Sequence, residues 1–327
     1  MRRRTACSAL VFLPASPGLL AQGPARKARI GFLTEAPLDS VWQRAALEPF
    51  RRGLRELGYI EGQNMVLEIR SADGKKEGLK PLMSELLQLD LDVLLAGFGA
   101  AALAAKEATR TLPVVAAAVD DPIAMGFAAT LARPGGNFTG ISGWAGELVA
   151  KRLQLVRELV PAARRVGILF NPDAVPRVQI EAGVAKWEPS LGIQIRVYGA
   201  RGADEFEGAF TAMARDGVAG LVVLADANTY VNRVRLNELC LQRRMPSVWG
   251  GRDWLTGGGL ASYQSDYPAI FRRAAALVDY ILKGQRPAEI PFEQATKLEL
   301  IVDRRAAKAL GVAVPQALLL AANEVIE

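Results

Sequence analysis

The stretch LPVVAAAVDDPIAMG, residues 112–126, joins an apolar run to two adjacent aspartates and a proline. A short apolar run followed by turn-forming residues is typical of a strand buried on both faces of a parallel sheet. Because proline is favoured at the first helical position, we expect a helix over 122–132. The stretch therefore predicts a strand–helix unit, which is the building block of an α/β fold.

The two aspartates have different predicted roles, because one carboxylate is enough to cap a helix. Asp121 directly precedes Pro122 and is the natural N-cap. Asp120 would then lie at the end of the strand, where its carboxylate could accept hydrogen bonds from a cationic or amine-bearing ligand. The reverse assignment of the two residues stays open.

The same alternation of strands and helices extends from Ile30 to the C-terminus. Strands are predicted at 28–33, 65–70, 91–97, 112–119, 138–142, 165–170, 193–198, 220–225, 246–249, 259–263 and 297–303. Helices are predicted at 40–58, 79–90, 101–110, 122–132, 151–160, 175–188, 204–215, 229–243 and 267–284, with Pro49 kinking the first or delaying its start. Two halves of about five strands each predict two doubly wound lobes, which bind ligands outside the carboxyl ends of their strands.

The loops that follow these strands carry the candidate ligand-binding residues. They are Glu35, Trp42, Gly97, Phe98, Gly99, Ala100, Asp120, Asp121, Trp144, Asn171, Asp226, Asn228, Trp249 and Tyr263. The turn at 97–100 opens a helix, whose free N–H groups could hold an anion, although a plain tight turn explains its glycines equally well. Asp226 and Asn228 mirror Asp120 in the second half, or they cap a helix. The tryptophans could stack on a ligand, or pack in the core.

The composition excludes several classes of enzyme. The chain has no histidine, so a histidine-based triad, general base or metal cluster cannot exist. Cys7 and Cys240 are the two cysteines, and no GxSxG motif is present. No cofactor and no metal ion are expected. A hydrolase that uses carboxylates alone remains formally open.

The N-terminus is predicted to be an export signal over residues 1–21. Arg2, Arg3 and Arg4 precede an apolar segment of small residues, with cleavage expected after Ala21. A disordered cytosolic tail and a lipoprotein anchor at Cys7 are the alternatives. Removal of the signal lowers the net charge from +6 to +3, a nearly neutral balance that argues against a nucleic-acid partner. No apolar run beyond the N-terminus is long enough for a transmembrane helix.

Several long stretches resemble the ABC transporter substrate-binding protein family, in its tryptophan/tyrosine-type branch. They are RIGFLTEAP (29–37), FRRGLRELGYIEGQNMVLEIR (50–70), DDPIAMGFAATLARPGGNFTGIS (120–142), KRLQLVRELVPAARRVGILFNPD (151–173) and the segment 259–315. The resemblance implies a type I periplasmic binding protein fold, in which two doubly wound parallel-sheet lobes are joined by a three-strand hinge. The implied lobes are 28–142 with 264–289, and 143–263 with 290–327. The implied crossings lie near 141–144, 263–266 and 290–292.

The resemblance also implies how a ligand is held between the lobes. The turn Gly97–Ala100 corresponds to the family's carboxylate-binding turn, and Asp121 and Asp226 correspond to its amine-facing acids. Phe98, Asp120 and Ala227 stand where small hydroxyl residues are common in the family. The implied ligand is a small molecule, such as an amino acid or an aromatic compound.

The predicted function is therefore that of a periplasmic, monomeric solute-binding protein that delivers a ligand to an ABC permease. A sensor module that presents its closed form to a membrane signalling receptor is the main alternative. A LacI-type regulator would need a DNA-binding domain, and only about 27 residues precede the first predicted strand.

Overall fold

The computed structural model describes residues 26–143 and 145–327, without the side chains of Val41, Trp42, Ala145 and Ala227. The expected export signal and Trp144 therefore lie outside the described residues, as does the side chain of Trp42. Among the helices of the described part, none is long and apolar enough to cross a membrane.

The first sheet has six strands, all of them parallel, in the order β2-β1-β3-β4-β5-β11. Its strands are β1 (Ala28–Thr34), β2 (Met65–Ser71), β3 (Val93–Gly97), β4 (Val114–Val119), β5 (Phe138–Ser142) and β11 (Glu293–Gln294). The helices that accompany it are α1 (Val41–Glu56), α2 (Leu79–Leu87), α3 (Phe98–Ala108) and α9 (Tyr267–Leu282).

The second sheet has seven strands in the order β7-β6-β8-β9-β10-β12-β13, with β12 antiparallel to β10. Its strands are β6 (Arg165–Phe170), β7 (Gln194–Gly199), β8 (Leu221–Val223), β9 (Ser247–Trp249), β10 (Ala261–Ser265), β12 (Leu298–Asp303) and β13 (Glu324–Ile326). Its helices are α4 (Ala145–Leu159), α5 (Arg177–Leu191), α6 (Ala203–Arg215), α7 (Ala227–Val231), α8 (Arg233–Gln242), α10 (Arg304–Leu310) and α11 (Gln316–Ala321). Short 3₁₀ turns occur at Lys76–Gly78, Arg252–Leu255 and Pro287–Glu289.

Apolar side chains on both faces of each sheet form the cores. Every residue of β3 and β4 is buried, as the continuous apolar runs predict for central parallel strands. On one face of the first sheet, Phe32 packs against Phe50 of α1 and Phe271 of α9. Gly53 lets α1 and α9 approach closely, since a Cβ there would lie 2.7 Å from the Cβ of Ala275. This packing fixes both helices so that their first turns lie beside the carboxyl ends of the strands.

The chain passes between the sheets after β5, after β10 and after β11, and hydrogen bonds join these three crossings. The hydroxyl of Ser265 donates to the carbonyl of Gly143 at 2.8 Å. The amide of Asp266 donates to Lys297 O at 3.0 Å, and the amide of Ala295 donates to Ser142 O at 2.9 Å. The crossings therefore form a narrow hydrogen-bonded band between the two sheets.

The third crossing lies later in the sequence than expected. Glu293 and Gln294 pair with Ile141 and Ser142 in the first sheet, so the chain leaves that sheet after residue 294. The predicted crossing at 290–292 is therefore a few residues too early. The strand of only two residues that displaces it is too short to be found from hydrophobic periodicity.

The helix expected over 122–132 is absent, and turns occupy this stretch instead. Oδ1 of Asp121 accepts hydrogen bonds from the amides of Ile123 and Ala124 at 2.9 and 3.0 Å, as an N-cap would. The chain then reaches Gly126, whose φ of +68° is left-handed, and the helix cannot continue. The capping chemistry was therefore predicted, but the element that it caps is a turn.

Two other helices differ from expectation. Pro49 does not delay the start of α1, which runs from Val41 to Glu56 with the proline inside it. Helix α3 begins at Phe98 rather than at residue 101, so the Gly97–Ala100 turn is largely the first turn of the helix.

Candidate functional site

Glu35 and Asp226 face each other across a cleft between the two sheets. Glu35 follows β1 in the first sheet, and Asp226 follows β8 in the second. Burial raises the pKa of the Glu35 carboxyl, and the negative charge of Asp226 raises it further, while Lys76 opposes both effects. The two carboxylates are therefore close enough to interact, although they belong to different sheets. A cation that enters between them would relieve their repulsion.

Asp120 lies at the floor of the same cleft. Its side chain is open to solvent, yet the protein surrounds it closely enough for desolvation to raise its pKa, with a second contribution from Asp121. Its carbonyl accepts a hydrogen bond from the hydroxyl of Ser142, where the first crossing begins. Asp121 is held in its turn, so Asp120 is the member of the pair whose carboxylate is available at the strand end.

Tyr267 links the floor of the cleft to the second sheet. It opens α9, and burial raises the pKa of its hydroxyl to about 12, with Arg152 opposing this shift and Asp120 adding to it. Its ring meets that of Phe98 edge-on at 5.6 Å. Asp120, Phe98, Tyr267 and Arg152 are therefore neighbours, although the sequence separates them by up to 169 positions.

The turn at 97–100 begins α3, and no side chain caps this helix. Phe98 adopts a left-handed φ of +66°, which costs a residue with a side chain roughly 1–2 kcal/mol. Its ring packs at 5.5 Å from Phe271 as well as against Tyr267. The ring therefore belongs to the core under the turn. Strained backbone of this kind concentrates at ligand sites.

In the second sheet, Asp226 is a half-buried capping residue. Its Oδ1 accepts the amide of Thr229 at 2.7 Å, and the Thr229 hydroxyl accepts the amide of Asp226 in return. Its Oδ2 accepts the side-chain amide of Asn171 at 2.7 Å. Asn228 Oδ1 accepts a hydrogen bond from Asn232, and its Nδ2 is buried with no hydrogen-bond partner among the described residues. These bonds hold the Asp226 carboxylate rigidly at the cleft, where each oxygen retains a further lone pair.

The aromatic residues predicted to line the cleft divide into two groups. Trp249 is fully buried, and its indole N–H donates to Ser247 Oγ at 2.8 Å, so the predicted stacking role of Trp249 is wrong. Trp249 is the last residue of β9, at the predicted strand end, but its side chain packs in the core of the second sheet. Tyr263 is half-buried beside Arg152 and remains at the floor of the cleft.

Sequence reasoning missed three residues of this region: Arg152, Tyr267 and Gln43. Arg152 is buried, although its place in an amphipathic helical pattern suggested a solvated charge. Gln43 is fully buried near the start of α1, and neither polar atom of its side chain has a hydrogen-bond partner in the described part of the chain. Buried polar groups normally form hydrogen bonds, so an unpaired buried amide beside a strand end points to a ligand site. The sequence does not show this, because it does not reveal that Gln43 is buried.

A separate cavity of about 520 Å³ lies between α1, α9 and the third crossing. Its lining includes Gly53, Ile270 and Lys297, and none of the predicted ligand-binding residues. In the part of the chain that the structure describes, no group of three or more His, Cys, Asp or Glu side chains could hold a metal ion.

These features can be compared with known proteins. The family model described as "ABC transporter substrate binding protein" matches residues 40–326. The chain belongs to the ABC transporter substrate-binding protein family. A curated member from Clostridioides difficile, named "Tyrosine-binding protein", is 24% identical over 269 residues, which cover 82% of this chain and 76% of that protein.

Two solved structures share the fold of this ABC substrate-binding protein. A conserved domain protein from Vibrio cholerae superposes with a TM-score of 0.82 at 24% identity, covering 92% of this chain and 100% of that chain. An ABC domain from Streptococcus pneumoniae in complex with L-Trp gives a TM-score of 0.81 at 23% identity, with the same coverage. Two doubly wound lobes joined by three crossings constitute the type I periplasmic binding protein fold, as the sequence predicted.

Proposed function

We propose that this protein is the extracytoplasmic solute-binding component of an ABC importer, and that it binds an amino acid between its two lobes. The observation that carries the proposal is the pair of carboxylates, Glu35 and Asp226, that face each other from different sheets within a family of substrate-binding proteins. A relative is named for tyrosine and a structure of the same fold holds L-Trp, which favours an aromatic amino acid.

Each end of an amino acid has proposed partners in the cleft. Its ammonium group would lie among the carboxylates of Glu35, Asp120 and Asp226, which in their ionised form accept hydrogen bonds and donate none. Its carboxylate would lie at the first turn of α3, over Gly97–Ala100, where backbone N–H groups and the helix dipole favour an anion. Asp121, Asn171, Asn228 and Tyr263 would complete the surroundings of the ligand.

Ligand binding would bring the lobes together by rotation about the three crossings. The proposed lobes are the two sheets with their helices, so that residues 28–142 and 266–294 move against the remainder of the chain. The closed protein, as a monomer, would then deliver its ligand to the permease. Residues 1–21 are proposed as the signal that exports the chain to the periplasm.

The experiment is a thermal-shift screen of the purified protein, refolded to remove carried-over ligand, against the amino acids, aromatic acids, polyamines and nucleosides. A ligand at about 100 times its Kd adds roughly 2.7 kcal/mol, which raises the Tm by several degrees in a protein of this size. We expect a shift with an aromatic amino acid that is reduced in Asp226→Asn. Asp173→Asn is the matched control, because Asp173 is an exposed acid near Asn171 that pairs with Arg201. No shift with any compound would contradict the proposal.

A further inference from the structure

The guanidinium of Arg152 is a buried cation with no acidic partner among the residues that the structure describes. Arg152 lies in the second turn of α4 and is only 6% exposed. It forms no ion pair with any carboxylate in residues 26–143 and 145–327, and burial lowers its pKa to about 10. Even so, the group is fully charged at neutral pH. A charge of this kind is expensive to bury unless something pairs with it.

The contacts of Arg152 place its side chain where the two lobes meet. Its Nε donates to the carbonyl of Tyr263 on β10 at 2.8 Å. Its Nη2 would lie 3.6 Å from a Cβ on Gly250, the residue that follows β9 at the carboxyl end of the second sheet. Tyr267 is the first residue of α9 in the first lobe, and the charge of Arg152 acts to lower the pKa of its hydroxyl. The guanidinium therefore reaches the floor of the cleft from the second lobe.

The first turn of α3 approaches the same point from the first lobe. Phe98 opens this helix, and its ring contacts Tyr267 at 5.6 Å. Tyr267 is thus the common neighbour of the α3 turn and of Arg152. An anion at the start of α3 would therefore share Tyr267 as a neighbour with Arg152.

We propose that Arg152 is the second lobe's anchor for the carboxylate of the ligand, and that one oxyanion bridges the α3 turn and Arg152 when the cleft closes. This inference rests on the proposed function, since it concerns the same cleft. Arginine suits the role because its planar N–H groups match a carboxylate in a bidentate geometry. The acids of the cleft select the ammonium group and Arg152 selects the carboxylate, so the site requires a zwitterion and discriminates against a simple amine.

The test compares L-tryptophan with tryptamine, which lacks only the carboxylate, in titration calorimetry on the full protein. We expect Arg152→Met to weaken tryptophan binding by about 30-fold or more while tryptamine binding stays unchanged. Arg152→Lys keeps the charge and the aliphatic stem, so its affinity for tryptophan should lie between that of the unaltered protein and that of Arg152→Met. Arg157→Met is the matched control on the same helix, because Arg157 is exposed and bonds the carbonyl of Leu191 outside the cleft.

Each other outcome overturns a distinct part of the reasoning. If Arg152→Met or Arg152→Lys weakens both ligands in parallel, Arg152 only supports the fold. If the unaltered protein binds tryptamine as well as tryptophan, the carboxylate is not recognised and the inference is wrong, while the proposed function stands. If a wider panel finds only ligands without an anionic group, the inference is again wrong and the proposed function again stands. If the unaltered protein binds nothing in the panel, the proposed function fails, and this inference fails with it.

Discussion

Gly140 in β5 is a position where no side chain fits, and Gly140→Ala tests the packing that leads into the first crossing. A Cβ on Gly140 would lie 1.9 Å from the carbonyl oxygen of Ala116 and 2.8 Å from its carbonyl carbon. Cβ atoms essentially never approach other heavy atoms within 3.0 Å, so β5 would have to move away from β4 by roughly 1 Å. Gly140 and Ala116 are direct partners in the parallel pairing of these strands, so the contact is between neighbouring backbones rather than with a flexible side chain.

The expected loss of stability follows from the interactions that this movement would break. Two hydrogen bonds of the β4–β5 ladder, at about 1 kcal/mol each, would lengthen beyond useful geometry. Forcing extra volume into a packed core costs a further 1–3 kcal/mol or so. The free energy of unfolding should fall by roughly 3–5 kcal/mol, which corresponds to a decrease in Tm of about 4–8 °C for a protein of this size.

The assay is thermal unfolding followed by far-ultraviolet circular dichroism, with Gly143→Ala as the control. Gly143 is three residues along the same segment, but the nearest atoms to a Cβ there are 3.7 Å away, which is ordinary van der Waals contact. Gly143→Ala should melt within about 2 °C of the unaltered protein. A Gly140→Ala variant that melts as high as this control would refute the reasoning, because the close approach of β4 and β5 would then not constrain the fold.

Three further predictions concern single side chains. Asp120→Asn should stabilise the ligand-free protein at pH 7. The folded state raises the pKa of the Asp120 carboxyl, so ionisation of this group lowers the stability of the unaltered protein as pH rises. The stability gained by the variant should vanish as pH falls below the ordinary pKa of 3.8. Melting curves of both proteins across pH 3–8 check the sign, and a gain that persists at the acid end would contradict it. Trp249→Phe should lower the free energy of unfolding by about 1–3 kcal/mol, through lost volume and the lost bond to Ser247, with unchanged ligand affinity in calorimetry. The thiol of Cys240 is fully buried with its pKa raised to about 12, so in protein that lacks residues 1–21, and with them Cys7, a thiol reagent at pH 8 should label Cys240 only in denaturant. Labelling of that protein in its native state would show that this core opens.

Much of the architecture could be predicted because each central strand is a continuous apolar run. The fully buried patterns of β3 and β4 are direct consequences of VLLAG and VVAAAV. The structure of the stretch after Asp121 was harder to predict, because an aspartate followed by proline begins both turns and helices. The left-handed φ of Gly126 decides between them, because a helix cannot continue through it.

The candidate site was less predictable than the fold. Carboxylates at strand ends, such as Glu35 and Asp226, could be found because strand ends meet at one edge of a sheet. Arg152 could not be found from the sequence, because a charged residue in an amphipathic helix is normally solvated. Its burial depends on where α4 packs, which is a property of the second sheet as a whole.

The hydrogen bonds between the three crossings limit the ways in which the lobes can move. Ser265 holds the second crossing to the first at Gly143, Asp266 holds it to the third at Lys297, and the amide of Ala295 holds the third to the first. Three bonded chains that lie side by side bend across their common plane more easily than they twist or slide within it. The motion of one lobe against the other should therefore have a single axis, and intermediate openings should lie along one arc rather than over a broad range of orientations.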